Sequence, residues 1–255
     1  MWIAAACLAL APSAGDATAE GRAWLRKTEA ALYAWPDPGS VVRFQVRTNL
    51  LDPAIEMLSK DPEASDPDKS RWLDALRQPT ITGTLDTETG EVSTQVTLRY
   101  EPKDPEGKVA SDKTKALLST TIAGAFKALP FHDASMLGTK GSVVSSEEQG
   151  EIVIVKVARP GSDEPATIRL NQRTALPEAI EMPESSMRFR FVEVFPGRFA
   201  PSRLEVKPKG GKESRAEYAY QKAGEIAFPS TIKIAQGPQS ATITFVSLQV
   251  EPRSH

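Results

Sequence analysis

From residue 141 to residue 251 the sequence alternates apolar and polar side chains in short runs, with turn-forming residues between most of them. Strands are predicted at 142–149, 151–159, 166–172, 177–183, 186–195, 201–207, 213–222, 229–236 and 239–250. Turns with glycine, such as Gln149-Gly150 and Gly210-Gly211, separate most of these strands. Connections this short join neighbouring antiparallel strands, and no strand–helix–strand pattern is present. The sequence therefore predicts a mainly β (α+β) protein built on an antiparallel meander.

The first 130 residues mix helices with strands. In the strand at 41–50, Val42, Phe44 and Val46 share one face while arginines and polar residues take the other, as in a sheet with one buried side. A hairpin is predicted at 79–101. Helices are predicted at 20–35, 54–59, 69–78 and 113–129.

Two further sequence features concern the apolar face of the sheet. In the helix at 113–129, Leu118, Ile122 and Leu129 form an apolar stripe that needs an apolar sheet face to cover. In the last strand the alternation slips by one residue after Phe245, where Val246 follows directly. Either a β-bulge or burial on both faces explains that slip.

The N-terminus predicts export. Trp2 to Ala11 is an apolar run of 10 residues, too short to span a bilayer, and Ala17-Thr18-Ala19 supplies a small-x-small cleavage site. No basic residue precedes the run, which is atypical. We therefore expect a signal peptide at 1–19 and one domain at 20–255, with a helical insert at about 51–78. A lipoprotein signal acylated at Cys7 fits less well, because Ala4-Ala5-Ala6 lacks the usual leucine.

Composition excludes several functional classes. The 31 basic and 33 acidic residues give a net charge of −2, which argues against nucleic acid as the main partner. Cys7 is the only cysteine, so a chain cleaved after residue 19 has neither disulfides nor thiol chemistry. No later segment is apolar enough to be predicted as transmembrane. We expect no transmembrane segment in the mature chain and no cofactor.

Catalytic and metal-binding motifs are missing from the sequence. The two histidines, His132 and His255, are too few for a histidine triad on a metal, and no G-x-S-x-G elbow is present. The acidic loop at 61–68 fails the EF-hand pattern, since Trp72 occupies the position of the bidentate glutamate. The sequence therefore predicts a non-enzyme, without catalytic or metal-binding residues. A hydrolase using His132 remains an alternative if that side chain lies within reach of a serine or carboxylate.

The second half of the chain resembles a known family. The stretches ATIRLNQRTALPEAIEM, SSMRFRFVEVF and AGEIAFPSTIKIAQGPQSATITFVSLQVEP are similar to the LolA/LolB-like superfamily of periplasmic lipoprotein carriers, which also includes RseB-type sensors. The matching elements are a Thr-x-Leu-Pro turn at 174–177 and a Gly-x-x-x-x-Pro step at 224–229. This resemblance implies an unclosed β-barrel, a curled antiparallel sheet whose concave face is covered by helices around an apolar cavity. It also implies a periplasmic or envelope location in a bacterium.

The resemblance leads to a functional expectation. We expect an exported binding protein, a carrier or sensor, for a lipid or the acyl chains of a lipoprotein, with a membrane-associated protein as a further partner. The alternative is a non-catalytic protein-interaction or regulatory domain on the same fold. The candidate ligand-binding residues are Phe44, Leu98, Tyr100, Leu118, Phe126, Leu129, Phe189, Phe191, Tyr218 and Phe245.

Overall fold

A computed structural model describes residues 14–35, 40–61, 66–127, 142–159 and 162–252. Its helices are α1 (Ala14–Ala31), α2 (Asp52–Ser59), α3 (Pro67–Arg77) and α4 (Pro105–Lys127). Its strands are β1 (Ser40–Thr48), β2 (Thr80–Asp86), β3 (Val92–Thr97), β4 (Val143–Gln149), β5 (Ile152–Arg159), β6 (Ser162–Asn171), β7 (Pro177–Met182), β8 (Ser185–Phe195), β9 (Arg198–Pro208), β10 (Ser214–Ala223), β11 (Ile226–Gln236) and β12 (Gln239–Pro252).

All twelve described strands form one antiparallel sheet in the order β3-β2-β1-β12-β11-β10-β9-β8-β7-β6-β5-β4. From β4 to β12 each strand pairs with the next along the chain, so the predicted meander of nine strands is confirmed. Strand β12 then pairs with β1, β1 pairs with β2, and β2 pairs with β3. The strands at the two ends of this order, β3 and β4, do not pair with each other, so the sheet is not closed.

Two apolar clusters occupy one side of the sheet, which we call the inner face. In the first cluster, α4 contributes Leu118 and Ile122 against Val42 of β1 and Ile232 of β11. In the second, Leu25 of α1 packs with residues of β4 to β7. Each of the four described helices contributes apolar side chains to one of these clusters. The opposite side, the outer face, therefore carries none of them.

The last strand contains a bulge, which settles the alternative left open by the sequence. Gln45 pairs with Ser247 and Val46 pairs with Phe245, so Val246 is the extra residue between the two pairs. Its side chain is exposed, whereas Leu248 and Val250 return to the inner face and pack against the first cluster. The bulge restores the alternation that the sequence had interrupted.

Helices α2 and α3 begin two residues before their predicted starts, whereas α1 and α4 differ more from their predicted ranges. Helix α1 begins before residue 20 and so crosses the predicted cleavage position. It ends at Ala31, because Leu32 forms a β-bridge with Phe199 of β9. The carbonyl of Phe199 accepts a hydrogen bond from the Tyr33 amide at 2.8 Å.

Helix α4 starts eight residues before the predicted residue 113. Asp104 caps it by accepting the Gly107 amide at 2.8 Å, and a proline opens its first turn.

Several predictions fall outside the described residues. These are the signal peptide's apolar run with Cys7, the candidate ligand residue Leu129, and both His132 and His255. The hydrolase alternative therefore stays a prediction. Among the helices that the structure describes, none has the length and apolar character needed to span a membrane.

Candidate apolar ligand site

The middle of the inner face carries large apolar side chains that are only half-buried. They come from two neighbouring strands, β8 and β9, and alternate with outward-facing charged residues. The antiparallel register places Met187 opposite Val206 and Phe189 opposite Leu204. We call Met187, Phe189, Phe191, Leu204 and Val206 the apolar strip.

The apolar strip lies at the boundary between the two clusters. Phe189 and Phe191 pack against the second cluster, whereas Leu204 packs against the first. The rings of Phe189 and Phe191 stack, with centroids 6.1 Å apart and planes inclined by 22°. Side chains this large usually reach full burial in a core of this size. Their partial exposure leaves apolar surface at the centre of the inner face.

Helix α1 packs on the second cluster, against which Phe189 and Phe191 also pack. Its Trp24 is half-buried against that cluster, with Lys27 Nζ 3.9 Å from the ring centroid and the indole Nε1 donating to Glu148 at 3.3 Å. The buried Thr28 hydroxyl donates to the carbonyl of Ala175 at 2.6 Å. That carbonyl belongs to the Thr-x-Leu-Pro turn, where Ala175 takes a positive φ of 58°. The turn therefore fixes the position of α1.

The first cluster closes the other side with packed aromatic rings. Phe44, Phe126, Phe228 and Phe245 form six ring pairs with centroid distances between 5.2 and 5.8 Å. Tilted and edge-to-face pairs at this separation attract each other beyond their area burial. Phe126 lies in the last turn of α4. The space between the C-terminal part of α4 and the sheet is filled by side chains.

The buried Tyr33 and Tyr218 and the half-buried Tyr220 add polar groups to the inner face without adding charge. Burial raises the pKa of Tyr218 and of Tyr33 to about 12, and it raises the pKa of Tyr220 well above the usual value. The Tyr33 hydroxyl accepts the Ala227 amide at 2.8 Å, and the Tyr220 hydroxyl donates to the Pro201 carbonyl at 2.6 Å. The upward shift of the pKa reports that these hydroxyls are shielded from water, which is consistent with an apolar inner face.

Three cavities lie away from the strip. The largest, about 770 Å³, is lined by Asp68, Trp72, Tyr100 and Asp104 among others. A second, about 470 Å³, lies beside the exposed Val246. A third, about 400 Å³, is lined mainly by polar residues of β1, β2, β3 and β12. These cavities have mixed or polar walls, unlike the strip.

The predicted ligand residues separate into groups in the structure. Five of them lie in the first cluster, namely Phe44, Leu118, Phe126, Tyr218 and Phe245. Phe189 and Phe191 form part of the apolar strip. Leu98 is buried, and Tyr100 lines the largest of the three cavities.

Sequence reasoning missed five residues of this region, which are Trp24, Met187, Leu204, Val206 and Phe228. The alternation SRLEVK contained the signal for Leu204 and Val206. Phe228 stands directly before Pro229, where the period-two pattern is interrupted, and nothing in the sequence places it among the aromatic rings.

Comparisons of this chain with known proteins find only low similarity. No family model matches the sequence, and no curated protein matches it either. Among solved structures, a LolA superfamily protein from Nitrosomonas europaea is similar with 10% identity and a TM-score of 0.29, over 92% of this chain and 94% of that one. A structure described as an outer membrane lipoprotein-sorting protein domain, from Vibrio parahaemolyticus, has 8% identity and a TM-score of 0.25, over 91% and 93%.

Both solved structures bear on the resemblance read from the sequence, because one is named for the LolA superfamily and the other for lipoprotein sorting. TM-scores this low carry no functional argument. The function of this chain is therefore inferred from its own residues.

Proposed function

We propose that this chain is an exported, non-catalytic binding protein for an apolar ligand, a lipid or the acyl chain of a lipoprotein, acting as a carrier or sensor in the periplasm or cell envelope. The observation that carries the proposal is the half-buried apolar strip between the two clusters. A signal-like N-terminus supports export.

The energetics of the strip favour an acyl chain. Burial of apolar surface is non-directional, so an acyl chain can cover Phe189 and Phe191 without any specific polar group. Each buried methylene is worth about 0.8 kcal/mol. About ten methylenes therefore give about 8 kcal/mol before the cost of association, which lies at about 4 kcal/mol or more.

Native mass spectrometry of the full chain, expressed with its N-terminus in a bacterial host and purified from lysate that still contains membranes, tests the proposal. We expect adducts with the mass of lipids that leave on denaturation. The double variant Phe189→Ala/Phe191→Ala is expected to lose most of the adduct, because it removes both rings of the strip. The matched control is Phe199→Ala, which removes a half-buried ring that packs on the same second cluster but lies outside the strip. This control variant should keep the lipid adduct. Equal adduct on the double variant and the control contradicts the proposal.

A protein-interaction or regulatory domain is the second candidate. The filled aromatic cluster beneath α4 favours it, because packed rings leave no space there for a ligand. In that case the strip would be covered by a side chain or segment of another protein. A lipid-free mass for the wild-type chain, together with a stable protein complex that the Phe189→Ala/Phe191→Ala variant loses, is the result that favours this candidate.

A further inference from the structure

Two rows of residues cross the outer face of the sheet from β6 to β11, at positions set by the antiparallel register. The first row reads Arg169, Ala179, Arg188, Glu205 and Arg215. The second row reads Arg190, Arg203, Glu217 and Lys233. We call these the basic rows. Six of their residues are basic and two are acidic, which gives a local charge of +4 on a chain whose net charge is −2.

The positive charge in these rows is only partly neutralised. Arg203 pairs with Glu205, and Arg215 lies 3.4 Å from Glu217. Arg169, Arg188 and Arg190 form no ion pair with any residue that the structure describes. Three exposed guanidinium groups are therefore available to an anion.

One pair of like charges has an energetic cost. Arg190 and Arg203 are direct cross-strand partners, and like charges in that position destabilise a sheet. Arg203 Nε is also buried and has no hydrogen-bond partner. An external anion bound between the two arginines would reduce the like-charge repulsion, whereas the buried Nε lies out of its reach. The arrangement is unfavourable for the free protein and favourable for a complex with an anionic surface.

The geometry indicates an extended ligand. The rows run from β6 to β11, which are six neighbouring strands about 4.8 Å apart, so the charges extend over about 24 Å. The described helices all pack on the inner face and leave these rows uncovered. Five of the six basic residues are arginines, whose planar groups bind phosphate through two parallel hydrogen bonds. A single small anion cannot span this distance, whereas an array of phosphate groups can.

We propose that the basic rows bind the phosphate groups of an anionic lipid bilayer, and that the chain docks on membranes through its outer face. This docking does not depend on the inner apolar strip holding a ligand. It would keep the strip on the opposite side of the sheet, accessible to a ligand or to a partner protein. The interaction is electrostatic, so it should weaken as salt is added.

Co-sedimentation of the full chain with vesicles tests this proposal. The vesicles contain phosphatidylcholine alone, or phosphatidylcholine with phosphatidylglycerol. We expect binding only with phosphatidylglycerol, and release at high salt. The double variant Arg188→Gln/Arg190→Gln is expected to bind at least tenfold more weakly, because each basic residue near an anionic membrane strengthens binding by about fivefold.

Two controls separate docking from folding and from general charge. The variant Lys108→Gln/Lys113→Gln removes the same charge from exposed positions of α4 and should bind as the wild type does. Arg190→Gln alone removes the like-charge pair, so it should not lower the midpoint of urea unfolding while it weakens vesicle binding. A purely structural role for Arg190 predicts a lower midpoint.

Several outcomes would overturn the proposal. One is equal vesicle binding by the Arg188→Gln/Arg190→Gln variant and the wild type, and another is no binding to phosphatidylglycerol at low salt. Displacement by inorganic phosphate at an equal phosphate concentration would assign the site to a free phosphate instead. Tighter binding to polyglutamate than to the vesicles would assign it to an acidic protein. None of these outcomes bears on lipid adducts detected by native mass spectrometry, so the two proposals fail separately.

Discussion

Replacement of Gly83 by alanine would place a methyl group inside the aromatic cluster. The added Cβ would lie 2.4 Å from Phe44 Cζ and 2.9 Å from the backbone carbonyl oxygen of Ser93. Carbon atoms in contact are normally about 3.5–4.0 Å apart, so the ring must move by about 1 Å or more. Phe44 cannot easily move, because three other rings surround it.

The expected change in the free energy of unfolding combines two opposing contributions. Overpacking a core costs about 1–3 kcal/mol, and here the carbonyl oxygen of β3 is backbone that cannot rotate away. Alanine is favoured over glycine inside a strand by about 0.5–1 kcal/mol. We therefore expect Gly83→Ala to lower the free energy of unfolding by about 1–2 kcal/mol.

Urea unfolding monitored by circular dichroism measures this loss. Gly124→Ala is the matched control, because its Cβ would meet nothing within 4 Å in α4, and it should raise stability by up to about 1 kcal/mol. In a Phe44→Leu background the cost of Gly83→Ala should fall, because the smaller side chain relieves the contact. A Gly83→Ala protein as stable as the wild type would refute the packing described for this cluster.

Three further predictions concern the inner face. Phe126→Ala should lower the free energy of unfolding by about 3–5 kcal/mol in urea titrations, because it leaves a cavity among packed rings. Thr28→Val should lower the free energy of unfolding by about 1–3 kcal/mol, because the buried Ala175 carbonyl loses its donor. Hydrogen–deuterium exchange should then show faster exchange of the backbone amides of α1. The pKa of Tyr218 is about 12 in the folded protein and about 10 in the unfolded chain. The free energy of unfolding should therefore be unaffected by this group below pH 10 and should fall between pH 10 and about 12. Tyr218→Phe should reduce that alkaline loss, and an unchanged pH profile of the urea midpoint would contradict the burial of this hydroxyl.

Much of the sheet was predictable because its alternation is local. The residues between 142 and 250 alternate with a period of two and are divided by short turns, so strand positions follow from neighbouring residues alone. The phase slip at Val246 likewise marked the bulge. The start of α4 was not predictable in this way, because residues 105–112 are polar and the cap at Asp104 decides where the helix begins.

The candidate site was only partly predictable. Phe44 and Phe189 each lie at an apolar position of a strand whose side chains alternate, and this pattern correctly places both on the apolar face. It does not say which of them a helix covers, because that depends on where α1 and α4 lie relative to the sheet. The structure puts Phe44 in a filled cluster and leaves Phe189 half-buried, and this difference distinguishes the strip from the core.

Photo-crosslinking of the full chain with a diazirine-bearing fatty acid tests the central claim most directly. Mass spectrometry of the digested adduct identifies the residues in contact with the acyl chain. We expect labels on the strip strands β8 and β9, around Phe189 and Leu204, and on α1 around Trp24, with competition by unlabelled fatty acid. Labels confined to the outer face or to the three cavities, or no labelling that competes, would contradict the proposal that the apolar strip binds an apolar ligand.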